Sequence, residues 1–199
     1  MDESATASSF ELMLPDWAAA ELAACAQREF RSVEERMRLV IELARTNFER
    51  DTGGPFAAAV FDDASARLVA IGVNRVVPMR CSSAHAEVMA LSLAQRVAGT
   101  HDLGGPGQPP QQLVVNWCPC AMCCGAVLWS GVRSLVIAGS GPELERITGF
   151  DEGPIHPTWA AELTRRGVSV RDGVLREEAC AMFQQFAASG RAVYNARQG

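Results

Sequence analysis

Long apolar runs are missing from this 199-residue chain. No stretch approaches the roughly 18 consecutive apolar residues that a bilayer-spanning helix needs, so no membrane partner is expected. The first 15 residues also lack a basic cluster ahead of an apolar core; Asp2, Glu3 and Glu11 are acidic instead, and the segment does not read as a secretory signal. A cytoplasmic location is the default expectation. Positive charge is in short supply as well. The formal net charge is −5 and the isoelectric point is near 5.3, whereas phosphate backbones are bound by clustered basic residues. A nucleic-acid partner is therefore not expected, and a small heterocycle suits the chain better. Internal repeats are absent. A disulfide framework is disfavoured too, because the cysteines number seven and five of them fall between positions 81 and 124. That clustering fits a reducing compartment.

What is present is a metal pattern. His85-Ala86-Glu87 is followed downstream by Pro119-Cys120-Ala121-Met122-Cys123. The combination H-x-E with P-C-x-x-C is the signature of zinc-dependent nucleobase deaminases. One imidazole and two thiolates suit Zn2+ and leave a tetrahedral position for water. Two cysteines three residues apart in the first turn of a helix point the same way, and the helix N-terminus favours their thiolates. Pro119 is expected at the first helical position, where its missing N–H costs nothing. Glu87 reads as a proton carrier rather than a ligand. A structural cage closed by Cys118, Cys124 or Cys81 is the alternative reading, although no second C-x-x-C knuckle supports it.

The length suits one domain, 1–199, with 1–14 poorly ordered and 190–199 forming a tail. A helix is expected from Pro15-Asp16 to about Arg28. A second follows with a capping box at Ser32 and Glu35 and apolar Met37, Val40, Ile41, Ala44 and Phe48 at helical spacing. Gly53-Gly54-Pro55 ends it. Strands over 56–61 and 68–73 form a hairpin, a loop over 75–83 delivers His85, and a helix runs to about Val97. A strand over 113–116 leads into the cysteine motif, whose helix stops at Gly131. Strand 132–138, loop 139–157, helix 158–166, strand 168–171 and helix 175–188 complete the pattern. Alternating strands and helices imply parallel pairing and an α/β/α layering, with ligand crevices at strand carboxyl ends.

Taken together, these residues resemble the cytidine deaminase-like superfamily, and within it the bacterial guanine deaminases. The resemblance runs from about Glu34 to the tail and includes Gly53-Gly54-Pro55-Phe56, Asn74, the two metal motifs, Trp129, Gly149-Phe150-Asp151-Glu152 and Tyr194-Asn195. It implies a three-layer α/β/α fold with a central mixed sheet of about five strands. It also implies hydrolytic removal of the exocyclic amine of a purine-type base, with guanine giving xanthine and ammonia. Zn2+ would be held by His85, Cys120 and Cys123. Glu87 would move a proton from water to the ring, and Glu152 would protonate the leaving amine. Asn74 and Ala86 would contact the ring, Phe56 and Trp129 would wall its faces, and Tyr194 would reach a neighbouring subunit's site in a domain-swapped homodimer. The chain departs from the family pattern just ahead of the first thiolate, where Ser-x-Glu is replaced by Asn116-Trp117-Cys118. That change leaves other amino-heterocycles open as substrates, such as an aminotriazine, a pterin or a modified guanine.

Overall fold

The computed structural model describes residue 9 and residues 11–197. Most of the 1–14 segment expected to be poorly ordered therefore lies outside the described residues, as do the last two residues of the tail.

Helix α1 (Asp16–Ala24) ends earlier than its composition suggests. Helix α2 (Val33–Glu49) begins at the capping box, with Ser32 Oγ accepting from the Glu35 N–H and the Glu35 carboxylate accepting from the Ser32 N–H. Strands β1 (Ala57–Asp62) and β2 (Arg67–Val73) form the antiparallel hairpin. The expected loop contains a short helix, α3 (Val76–Met79). Helix α4 (Ala86–Ala98) starts directly after His85. Strand β3 (Gln111–Val115) precedes helix α5 (Ala121–Ser130), which stops at left-handed Gly131. Strand β4 (Ser134–Ile137), helix α6 (Glu143–Thr148), helix α7 (Trp159–Arg165), strand β5 (Ser169–Arg171) and helix α8 (Arg176–Ala188) follow. The loop expected over 139–157 is thus interrupted by α6, with Pro142 at its N-cap.

Among the described residues the sheet has the order β2-β1-β3-β4-β5. It is mixed: β1 runs antiparallel to both β2 and β3, and β3, β4 and β5 are parallel. Helices α4 and α5 pack on each other, with α4 against β1 and β2. Helices α2 and α8 pack together, with α2 against β1 and β3. The expected three-layer α/β/α arrangement results.

Small residues set the spacing of these layers. Ala57, Ala58 and Ala59 are fully buried on central strand β1. Gly72 on β2 is in backbone contact with α4; a Cβ there would lie 2.1 Å from the Ala86 carbonyl oxygen and 2.4 Å from the Ala90 nitrogen. On the opposite side Arg36 is nearly buried, yet its guanidinium donates to the Phe30 carbonyl (3.0 Å), the Gln112 side chain (2.9 Å) and Asp63. A buried charge is tolerable only when paired in this way.

Candidate metal and substrate site

His85 and Cys120 occupy equivalent places: each is the N-cap of its helix, in extended backbone conformation, and neither side chain caps its own helix. Both side chains turn instead toward a common point. The donor atoms of His85, Cys120 and Cys123 all lie within 4.8 Å of one another, with His85 Nδ1 3.5 Å from Cys120 Sγ. Pro119 consequently precedes the N-cap rather than opening the helix as expected, because Cys120 needs non-helical backbone to present its sulfur. The N-terminal ends of α4 and α5 meet at this point, and their dipoles favour negative charge there.

The protonation pattern agrees. Hydrogen bonding from Cys123 and His85 holds the Cys120 thiol down at about 4, while Cys123, which donates to Cys120 and is buried, is pushed up. Two thiols and an imidazole sharing protons at this spacing match what a divalent cation replaces. The donor set and its spacing fit zinc.

Cys118, Cys124 and Cys81 are not members of this ligand group among the described residues. Cys118 and Cys124 both donate to the Pro119 carbonyl, at 3.6 and 3.4 Å. Burial pushes both thiols up, Cys124 to about 12, so both stay protonated. Three side chains that could hold a metal, not four, therefore converge here among the described residues. Cys118→Ser is accordingly expected to keep one zinc per chain by elemental analysis; loss of the metal would restore the closed-cage alternative.

The ligands open onto a cavity of about 520 Å³, within the usual range for small-molecule sites. Glu87, in the first turn of α4, lines it and is only 6 % exposed. Burial, reinforced by the Cys120 thiolate, raises its carboxyl. Glu152 also lines the cavity and is pushed up to about 8 by burial, then by Cys120 and Glu87. Its loop is tied to the cysteine helix by the Ala121 N–H, which donates to the Glu152 carbonyl at 3.2 Å.

Asn74 follows β2. Its Oδ1 accepts from the Gly54 and Val76 N–H groups, at 3.4 and 3.3 Å, which leaves the amide N–H₂ to face the cavity it lines. Phe56 and Ala86 also border the cavity. Phe56 packs edge-on against Phe150, with centroids 5.0 Å apart.

Trp129 does not take the place expected of it. Its indole is 86 % exposed on the outer face of α5 and lies away from the cavity, because the inward face of that helix carries Cys123, Val127 and Ser130. The tryptophan on the cavity is Trp117. It is 2 % exposed, meets Phe183 at 5.6 Å and lies under the Arg176 guanidinium at 5.0 Å. Room for it comes from Gly139, where a Cβ would approach the ring to 2.6 Å. Asn116 beside it is fully buried, accepting from the Ala57 N–H (3.0 Å) and donating to the Pro55 carbonyl (2.9 Å), so it fixes the segment that carries Phe56. Sequence reasoning had treated both positions only as departures from a pattern.

The tail returns to the same cavity. Arg191, Tyr194, Asn195 and Arg197 line it. Arg191 pairs with Asp51, and Asn195 accepts from the Asp151 N–H (2.9 Å) and donates to the Gly149 carbonyl (2.8 Å). The tail that the resemblance assigns to a neighbouring subunit here lies along its own chain's cavity.

Comparison with known proteins agrees with this geometry. The model of the cytidine and deoxycytidylate deaminase zinc-binding region matches residues 31–139, more than half of the chain. The chain belongs to this zinc-binding deaminase family. Its similarity extends to a particular branch: a solved guanine deaminase from Nitrosomonas europaea is 46 % identical, with a TM-score of 0.84, covering 93 % of this chain and all of that one. A protein solved in complex with 2,6-diaminopurine is 49 % identical, with a TM-score of 0.85 over 94 % of this chain and 97 % of that one. The guanine deaminase of Bacillus subtilis is 29 % identical over 124 residues, 62 % of this chain and 74 % of its own. The chain is a zinc-dependent aminohydrolase by family. None of its helices among the described residues is long and apolar enough to cross a membrane.

Proposed function

We propose that this chain removes the exocyclic amine of guanine, giving xanthine and ammonia. The observation that carries the reading is the meeting of a three-residue group able to hold a metal with one buried and one half-buried carboxyl group, both raised, on one aromatic-walled cavity. Zinc, when bound, supplies a water whose pKa is lowered to about 7. His85, Cys120 and Cys123 would hold the metal, and Glu87 would take up a proton as the amine-bearing carbon is hydrolysed and return it to a ring nitrogen. Glu152, held protonated, delivers a proton to the departing amine. Asn74 donates to the ring from its amide, Ala86 lines the floor, Phe56 and Trp117 flank the ring plane, and Tyr194 shields the open side. The test is ammonia release by the zinc-loaded protein across guanine, adenine, cytosine, aminotriazines and pterins. Guanine turned over above the rest supports the reading.

A second reading, an amino-heterocycle other than guanine, is favoured by Trp117 and the neutral Cys118 thiol lining the cavity where related sequences carry a carboxylate. Turnover of another ring in that panel would establish it.

The role of Glu152 has a pH signature. A carboxyl raised to about 8 is protonated below that pH, so a step that needs the acid form is present at neutral pH and lost as pH rises past about 8. The alkaline fall of kcat is expected to disappear in Glu152→Gln along with most of the rate. A retained alkaline limb would assign that titration to another group.

We also propose a homodimer in a cytoplasmic setting. Helix α5 contains no charged residue, yet Met122 and Trp129, seven positions apart, are exposed on one face. A helix apolar on all sides is normally buried, and a second copy would cover it. Trp129→Glu is expected to shift the protein toward monomer in sedimentation velocity; an unchanged profile would place the interface elsewhere. Guanine and its relatives are small bases, so no polynucleotide or membrane partner enters this reading.

A further inference from the structure

A chain of part-buried hydrogen bonds reaches the cavity from the N-terminal helix. It starts at Trp17 on α1, whose indole N–H is a donor only and donates to Thr52 Oγ at 3.0 Å. The Thr52 hydroxyl, having accepted, has one proton to give, and its nearest acceptor is Asn47 Oδ1 at 2.8 Å. The Asn47 main-chain carbonyl lies within reach of that hydroxyl as well, at 3.1 Å, and the orientation of the Asn47 side chain is fixed by two carbonyls that face its nitrogen. Its two N–H groups donate to the carbonyls of Gly54 (2.8 Å) and Asn74 (2.9 Å). Asn47 is 0 % exposed and does not line the cavity, so it cannot touch a bound base.

What it holds does line the cavity. Asn74 is pinned at its carbonyl by Asn47, at its N–H by the Phe56 carbonyl (2.9 Å), and at Oδ1 by the Gly54 and Val76 N–H groups. Gly53 closes the arrangement so tightly that a Cβ there would lie 1.7 Å from the Asn74 carbonyl oxygen and 2.7 Å from Asn47 Nδ2. With three of its polar groups committed, Asn74 has its side-chain N–H₂ left for the cavity.

We propose that Asn47 is a positioning residue for substrate, polarised from Trp17 through Thr52 and acting on the bound ring through Asn74. The proposal rests on the assignment of Asn74 as a ring-binding residue. A buried amide with two donors aimed at two carbonyls is an expensive group to keep if its only task is filling space, since leaving such carbonyls unpaired costs more than a pair of apolar residues would.

The experiment is a double-mutant cycle in steady-state deamination with zinc-loaded protein, using Asn47→Ala, Asn74→Ala and their combination, with Thr52→Val as an independent perturbation of the same chain. Asn47→Ala is expected to raise KM about tenfold while kcat stays within about threefold, the pattern of lost ground-state and transition-state binding alike. In the Asn74→Ala background it is expected to add nothing, because coupled groups are not additive. Thr52→Val, nearly isosteric, is expected to raise KM in the same direction by a smaller factor. Full additivity of the two asparagine changes would overturn the positioning role while leaving Asn74 as a binding residue. An Asn74→Ala protein with wild-type KM would overturn both assignments. If Asn47→Ala fails to fold, an unchanged KM in Thr52→Val overturns the proposal by itself.

Discussion

Replacing Glu87 by Gln is expected to lower kcat about a thousandfold, within the range that general acid–base groups contribute, while one zinc per chain stays bound. The two outcomes separate because the carboxylate sits beside the ligands without being one: the ligand group comprises His85, Cys120 and Cys123. Glutamine keeps the size of the side chain and an oxygen able to accept a hydrogen bond. What glutamine lacks is a site that takes up a proton and gives it back. The raised carboxyl matters here, since a base matched more closely to its working pH transfers protons in both directions more readily. Ammonia release against zinc content decides the matter. Turnover near the wild-type rate would remove Glu87 from the proton path, and parallel loss of metal would assign it to holding the site.

Gly72→Ala is expected to destabilise the protein by about 3 kcal/mol, the upper part of the usual cost of overpacking, and to weaken zinc binding. A methyl group at this point would meet backbone, the Ala86 oxygen at 2.1 Å and the Ala90 nitrogen at 2.4 Å, with Met89 Cβ at 2.9 Å. Side chains could swing aside, but a helix backbone has to move as a body. The body that moves is α4, and its first turn delivers His85, Ala86 and Glu87. A drop of about 6–12 °C in melting temperature would accompany that loss for a chain of this length. Thermal melting and zinc titration of the one variant test both parts. Unchanged values would mean that the strand and helix separate without consequence, contrary to the packing described.

The parts of the site readable in the sequence are those written within a few residues of one another. His85 with Glu87, and Cys120 with Cys123, are legible because each half of the metal motif is local, and Ser32 with Glu35 marks the start of α2 because capping is local too. The loops expected over 75–83 and 139–157 each contain a short helix: α3 spans Pro78 and α6 begins just after Pro142, since a short helix tolerates proline in its first turn. The resemblance implies Trp129 as a cavity wall, and its position on α5 places it instead on the outer face. Its neighbour in type, Trp117, owes its place to Gly139, Phe183 and Arg176, which come from other elements. Asn47 likewise acts on Asn74, 27 positions away, Asn116 on Ala57 and Pro55, 59 and 61 away, and Gly72 on Ala86 and Ala90, 14 and 18 away, and nothing in their immediate surroundings marks them.

Helices α4 and α5, like every described helix except α2, begin without a side chain to satisfy their first amides. His85 and Cys120 occupy positions where serine, threonine, aspartate or asparagine would ordinarily accept those N–H groups, a substitution that costs about 1 kcal/mol per helix. Both residues have given up local service to face a shared ion, and the ion in turn fixes both starting turns. Binding of metal is thereby linked to folding by mass action: a chelator competing for zinc acts as a denaturant aimed at the first turns of α4 and α5, and amide hydrogens there would be the earliest in the molecule to exchange.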